Sequence, residues 1–187
     1  MKALVLAVSA AALSATLPAS ASASPAVTTL GGSFAEGCYQ AARKRNASMD
    51  TLRTCDYAVA AQPLNAQDTL ATYVNRGILR MIRSNYAGAD ADFTAAAAMD
   101  PARSEPWLNL ATLRLKQGKS AEALPLFTKA IDLGIEEPEI AYFGRGLAHE
   151  DVGNLKAAYA DLRRAAELSP TWGEPAKELA RYQVRPR

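Results

Sequence analysis

The chain has 187 residues, 49% of them hydrophobic and 21% charged, with a formal net charge of +2. So even a balance excludes the basic footprint of a nucleic-acid binder and any general attraction to an acidic surface.

Residues 1–23 read as a signal peptide. Lys2 gives the positive start, Ala3 to Leu17 is an apolar run broken by Pro18, and Ala19-Ser20-Ala21 and Ala21-Ser22-Ala23 both fit small-residue cleavage. The run is short for a membrane span, and no cysteine follows it closely, which argues against a lipid anchor. Removing Lys2 with the leader lowers the charge from +2 to +1, since the leader holds no acid. Residues 24–32, with Pro25, Thr28, Thr29 and two glycines, read as a flexible leader.

The helical part runs from 33 to 187. Residues 33–69 form a divergent N-terminal hairpin. Phe34, Cys38, Ala41 and Ala42 make one helical stripe, and Leu52, Cys55, Val59 and Gln62 a second. Asn46 to Asp50 is the turn, with Ser48 or Asp50 as cap. Cys38 and Cys55 lie nearly symmetrically about Ala47, so an antiparallel turn there brings them level. In an exported protein they read as one disulfide, which would stabilise by about 3 kcal/mol in the chain-entropy model. Two buried thiols are the alternative.

Three units follow, 70–103, 104–138 and 139–172. Tyr73, Gly77, Ala89, Phe93, Ala96 and Pro101 are matched by Trp107, Ala111, Ala123, Phe127 and Ala130, then by Tyr142, Gly146, Ala158, Leu162, Ala165 and Pro170. The first step is 34 residues and the second 35, with the extra residue between Gly134 and Pro138. Each unit reads as two amphipathic helices. The small residues Gly77 and Ala89, Ala111 and Ala123, and Gly146 and Ala158 let the two backbones approach. Gly118 and Gly153 end two first helices, and Pro101 and Pro170 mark where two second helices stop. Arg76 and Asp92 are 16 residues apart, as are Arg145 and Asp161, while the middle unit holds Leu110 and Leu126 at both places. The joint switch from charged to apolar predicts structural ion pairs across the first and third hairpins. Thr171 to Gln183 starts a final helix, with Lys177, Glu178 and Arg181 toward solvent and Ala176, Leu179 and Ala180 for packing. Residues 173–187 thus read as a capping helix and a basic, frayed tail.

The period and the recurring aromatic, small and aromatic residues resemble the tetratricopeptide repeat (TPR) of exported bacterial proteins. The likeness covers Leu70 to Thr171 and is weaker over Ser33 to Gln62. It implies an all-α fold, a short right-handed superhelix, or solenoid, of antiparallel helical hairpins with a C-terminal capping helix. It also implies a concave peptide-binding groove lined by the first helix of each unit. Those positions are Val74, Asn75, Ile78, Met81 and Ile82, then Leu108, Asn109, Thr112, Leu115 and Lys116, then Phe143 and Leu147, with Glu150 and Asp151 beyond. A mostly apolar lining suits an amphipathic or extended peptide. Asn75 and Asn109 occupy equivalent places, where an amide can hold a peptide backbone; capping local backbone or facing water is the alternative. Gly144 stands at the third such place. Lys116 alone does not make a terminal-carboxylate clamp.

No enzyme is expected. His149, the one histidine, stands where the other units hold Arg80 and Arg114. Its acidic neighbours Glu150 and Asp151 point elsewhere on a helix. Asp90, Asp92 and Asp100 lack a metal-loop pattern, and no cofactor or metal is expected. The sequence therefore predicts a non-enzymatic protein-protein interaction scaffold in the cell envelope, periplasmic first and secreted second. Its expected partner is a protein or peptide client, with no nucleic acid and no stable membrane anchor. A structural or homo-oligomeric envelope component, such as a homodimer, is the alternative.

Overall fold

Caps and turn residues cut the chain into antiparallel helix pairs. The computed structural model describes residues 4–8 and 33–186. They comprise β1 (Leu4–Val8), α1 (Ser33–Arg43), α2 (Met49–Ala61), α3 (Ala66–Ile82), α4 (Tyr86–Met99), α5 (Ser104–Lys116), α6 (Ser120–Asp132), α7 (Pro138–Asp151), α8 (Leu155–Leu168), α9 (Gly173–Leu179) and β2 (Tyr182–Pro186). From α1 to α8 each odd helix packs on the even helix after it. Successive pairs then touch through α2 with α3, α4 with α5 and α6 with α7, and the odd helices lie side by side. The result is an all-α repeat superhelix. The sequence calls over 1–3, 9–32 and 187 lie outside the described residues.

Asparagine starts several helices because its side chain meets an N–H that the helix leaves unpaired. Asn65 Oδ1 accepts from the Asp68 N–H at 2.8 Å, Asn85 from Gly88 at 3.0 Å and Asn154 from Ala157 at 3.3 Å. Ser48 does the same for Thr51 at 3.2 Å. First helices end in a left-handed residue, Gly118 at φ 71° and Gly153 at φ 79°. The next N–H then folds back onto the last turn, Lys119 to Arg114 O at 2.9 Å and Asn154 to His149 O at 2.8 Å. The first unit makes the same turn with Ser84, at φ 60°.

Small residues hold the pairs close. A Cβ on Gly146 would stand 3.3 Å from Ala158 O and 3.0 Å from Leu162 Cγ. On Gly77 it would meet the Phe93 ring at 2.4 Å, so this glycine serves the aromatic one turn beyond fully buried Ala89. Arg76 grips Asp92 through two bonds, at 3.1 and 2.7 Å, and Arg145 grips Asp161 at 2.7 and 2.9 Å. In the middle hairpin Leu110 and Leu126 pack as apolar residues. The first pair has further partners. Arg80 adds a 2.9 Å bond to Asp92, and Asp56 of α2 accepts from both arginines. In α1 and α2, Cys38 and Cys55 are joined, S–S 2.06 Å, with Cα atoms 4.9 Å apart.

The C-terminal end differs from the expected helix. α9 stops at Leu179, and β2 follows where the tail was expected to fray. Tyr182 leaves the helix, is 7% exposed, and donates from its phenol to Glu150 at 2.8 Å. Leu179 packs as expected, but Ala176 and Ala180 are exposed and Pro175 is buried instead. β2 pairs antiparallel with β1, Tyr182 opposite Val8 and Pro186 opposite Leu4. β1 lies inside the segment read as a signal peptide.

Candidate peptide groove

The odd helices α3, α5 and α7 carry every residue assigned to the groove. Their packing side by side decides what stays accessible. Val74, Asn75, Ile78, Met81, Leu108, Asn109, Thr112 and Phe143 are buried; Ile82, Leu115, Lys116 and Leu147 are half-buried. Eight of the twelve thus lie inside the packed array rather than on an open face. The cause is local in each case. Val74, Ile78 and Met81 share one core with Cys38, Ala41 and Ala42 of α1. Leu108 is enclosed with Phe127, Ala141 and Ala148. Phe143 lies under Trp172, ring centroids 4.9 Å apart.

The half-buried remainder clusters toward the C-terminal ends of these helices. Ile82 ends α3, and Leu115 and Lys116 end α5. Burial, and then the charge of Arg45, hold the Lys116 ammonium below the ordinary lysine range. In the third unit the two acids are already engaged. Glu150 accepts from Arg181 at 2.7 Å and from Tyr182, and Asp151 accepts from Ser120 Oγ at 2.5 Å. Burial and the Glu150 bond push the Tyr182 phenol well above its ordinary range.

The two asparagines differ. Asn109 Nδ2 donates to Glu105 O at 2.9 Å, while its buried Oδ1 has no hydrogen-bond partner among the described residues. Asn75 is fully buried and engaged. At the third place Gly144 lets α7 approach the Phe127 ring, which a Cβ would meet at 2.4 Å. Sequence reasoning missed this role; the signal was a glycine one unit after an asparagine, opposite a conserved-spacing phenylalanine of the preceding unit.

His149 occupies the place that Arg80 holds in the first unit. Its Nε2 is 4.0 Å from Asp161, and its Nδ1 is buried without a partner among the described residues. Burial chiefly, and Arg145 in addition, lower its pKa; Asp161 opposes them. Among the described residues no group of three His, Cys, Asp or Glu side chains is placed to hold a metal ion. No described helix is long and apolar enough to cross a membrane.

Comparison with known proteins agrees with this architecture. The family model described as "Tetratricopeptide repeat" matches residues 74–138 and 108–171. A curated human protein, general transcription factor 3C polypeptide 3, is 35% identical over 92 residues, 48% of this chain. The match spans only 10% of that protein's length. The second TPR domain of human RPAP3, solved with an HSP70 peptide, is 29% identical with a TM-score of 0.54, covering 58% of this chain and 89% of that one. MamA from Desulfovibrio magneticus shares the fold at 18% identity, with a TM-score of 0.64 over 79% of this chain and 82% of that one. The matched repeats span more than half of the sequence, and the chain belongs to the tetratricopeptide repeat family.

Proposed function

We propose that the protein is a non-enzymatic interaction scaffold that binds a peptide or protein segment along the concave face of its repeats. One observation carries this reading: Ile82, Leu115, Lys116 and Leu147 stay partly accessible while the rest of the same face is packed away. Apolar anchors of an amphipathic or extended segment would rest on that strip. The RPAP3 domains solved with HSP70 and HSP90 peptides show that relatives of this fold take peptides.

The proposed address is the cell envelope of a bacterium, the periplasm before the medium. The signal-like residues 1–23 support export, and the Cys38–Cys55 bond suits an oxidising compartment. Crosslinking pull-down from the native compartment tests the scaffold. Ile82→Asn/Leu115→Asn should lose the client while the circular dichroism spectrum stays unchanged. Substituting buried Ile78 or Leu108 would not serve, since either change would break the core.

A second reading is self-association in the envelope. Phe34 and Tyr57 favour it: their rings lie tilted against each other with centroids 4.5 Å apart and are 42% and 53% exposed on the terminal hairpin. Light scattering separates the two. A monomer that loses its client in the double variant supports the scaffold, and an obligate dimer with no client supports the rival.

A further inference from the structure

The two strands stand apart from the stacked helices. They pair from Leu4 opposite Pro186 to Val8 opposite Tyr182. Among the described elements, the main neighbour of each strand is the other. A two-stranded ribbon is marginal in water unless something holds it. Here the hold is on β2. The Tyr182 phenol donates to Glu150 at 2.8 Å, and its ring centroid lies 5.8 Å from that of Tyr159. Arg181, one residue earlier, donates to the same carboxylate at 2.7 Å. β2 therefore leaves the helices from a fixed point.

That point adjoins the groove. Glu150 follows Leu147 by three residues on α7, so the two share one face of the helix. Leu147 and Tyr182 also belong to one apolar cluster, with Phe143. The third-unit end of the half-buried strip thus meets the start of β2. The strand now paired with β2 is Leu-Val-Leu-Ala-Val, five apolar residues from the segment read as a leader. Among the described residues the apolar clusters of the core draw only on 38–182. A chain that begins at residue 24 keeps that core and leaves open the edge that β1 fills, and an open strand edge is a template for pairing.

We propose that β2 is a strand-addition site: its edge pairs with an extended, apolar segment of the client, and in the full chain residues 4–8 hold that place. The inference rests on the groove and export readings above and adds the conformation and chemistry of the ligand. The occupant of the edge sets that chemistry, since it is uncharged and apolar throughout. Main-chain hydrogen bonds supply the affinity of such a site, and neighbouring apolar positions such as Leu147 supply its selectivity. Strand β1 acts as a tethered competitor, at an effective concentration that reaches about millimolar for short flexible tethers. The full chain is therefore self-occluded. The site also lies beyond the repeats matched to the family, which end at residue 171, so it belongs to this chain rather than to the repeat pattern.

The probe is a fluorescent peptide, blocked at both ends, of sequence Leu-Val-Leu-Ala-Val flanked by serines and read by anisotropy. The chain from 24 to 187 should bind it, and so should the full chain carrying Val5→Pro/Leu6→Pro. Consecutive N–H groups of a strand point to opposite edges, so one of the two prolines always removes a bond to β2. The unchanged full chain should bind at least about tenfold more weakly, because its own strand competes. Two further probes keep every side chain and carry N-methyl groups, one on the first, third and fifth residues, the other on the second and fourth. Strand addition predicts that only one of these binds. Equal binding of both overturns the strand site, and its loss in Leu115→Asn then leaves the groove standing. Equal affinity of the full chain and the 24–187 chain also overturns the proposal. Failure of every form to bind the probe overturns it too, while the client pull-down with Ile82→Asn/Leu115→Asn decides the groove separately. A dimer of the 24–187 chain abolished by Gln183→Pro/Val184→Pro would put a second copy on the edge and overturn the client. N-terminal sequencing of the protein from its native compartment decides export: a retained leader overturns that reading and the open edge with it.

Discussion

Removing Asp161 alone should damage the third hairpin more than removing Asp161 and Arg145 together. The two side chains are 11% and 19% exposed and share bonds of 2.7 and 2.9 Å. In Asp161→Leu the Arg145 guanidinium loses its carboxylate, keeps Thr128 at 3.1 Å and the Tyr142 ring at 5.3 Å, and stays largely shielded from water. Breaking one side of a fully buried pair costs about 3–5 kcal/mol. A fifth of Arg145 reaches solvent, so the expected loss is about 2–3 kcal/mol. Arg145→Leu/Asp161→Leu should cost about 1 kcal/mol or less, because the middle hairpin packs Leu110 and Leu126 at the equivalent places. Urea unfolding of the parent, both singles and the double gives the coupling directly, provided the slope is unchanged. Additive losses, or an Asp161→Leu within about 0.5 kcal/mol of the parent, would show that the pair does not work as a unit and would refute the reasoning.

Other outcomes follow from single features. Reducing Cys38–Cys55, which closes a separation of 17 residues, should lower stability by about 3 kcal/mol, read as a shift of the urea midpoint with and without reductant. Ser84→Gly should raise stability by about 0.5–1 kcal/mol in thermal melts, since exposed Ser84 sits at φ 60° where later units use glycine. His149 has a pKa lowered from 6.5, so the unfolded chain takes up a proton that the folded chain refuses. Its contribution to stability is therefore complete above pH 6.5 and is lost as pH falls below it toward the folded value. His149→Gln should flatten that part of the pH–stability curve.

The fold was legible where one residue type does one local job. Ser48 starts a helix, Gly118 and Gly153 close theirs, and Pro101 and Pro170 follow helix ends; each acts within a few residues of itself. The Arg–Asp switch was legible too, because two hairpins carry the pair and the third carries its apolar substitute. The C-terminus was not. A helical stripe continues through Ala180, but Tyr182 is drawn to Glu150, 32 residues away, and no local pattern encodes that bond. Asp56 escaped notice for the same reason: it reaches Arg76 and Arg80 from a different hairpin.

The proposed groove residues can be placed on three helices from the sequence, but how much of that face stays open cannot, and Gly144 shows why. Position within a unit says which way a side chain points; how closely the next helix lies depends on the neighbouring unit. Read along the sequence, Gly144 is a missing rung after Asn75 and Asn109. In the structure it is the gap that admits the Phe127 ring of α6, with a Cβ placed 2.4 Å from Phe127 Cζ and 2.6 Å from Cε1. Gly144→Asn should therefore add no peptide contact. It should force α6 and α7 apart, and Gly144→Ala should cost much the same, about 1–3 kcal/mol, as overpacking does. Phe127→Leu should recover part of that loss in Gly144→Ala while destabilising the parent, because it vacates the space the new methyl needs. If urea unfolding finds Gly144→Ala as stable as the parent, the close approach of α6 and α7 is not what this glycine provides, and the missing-rung reading would regain its ground.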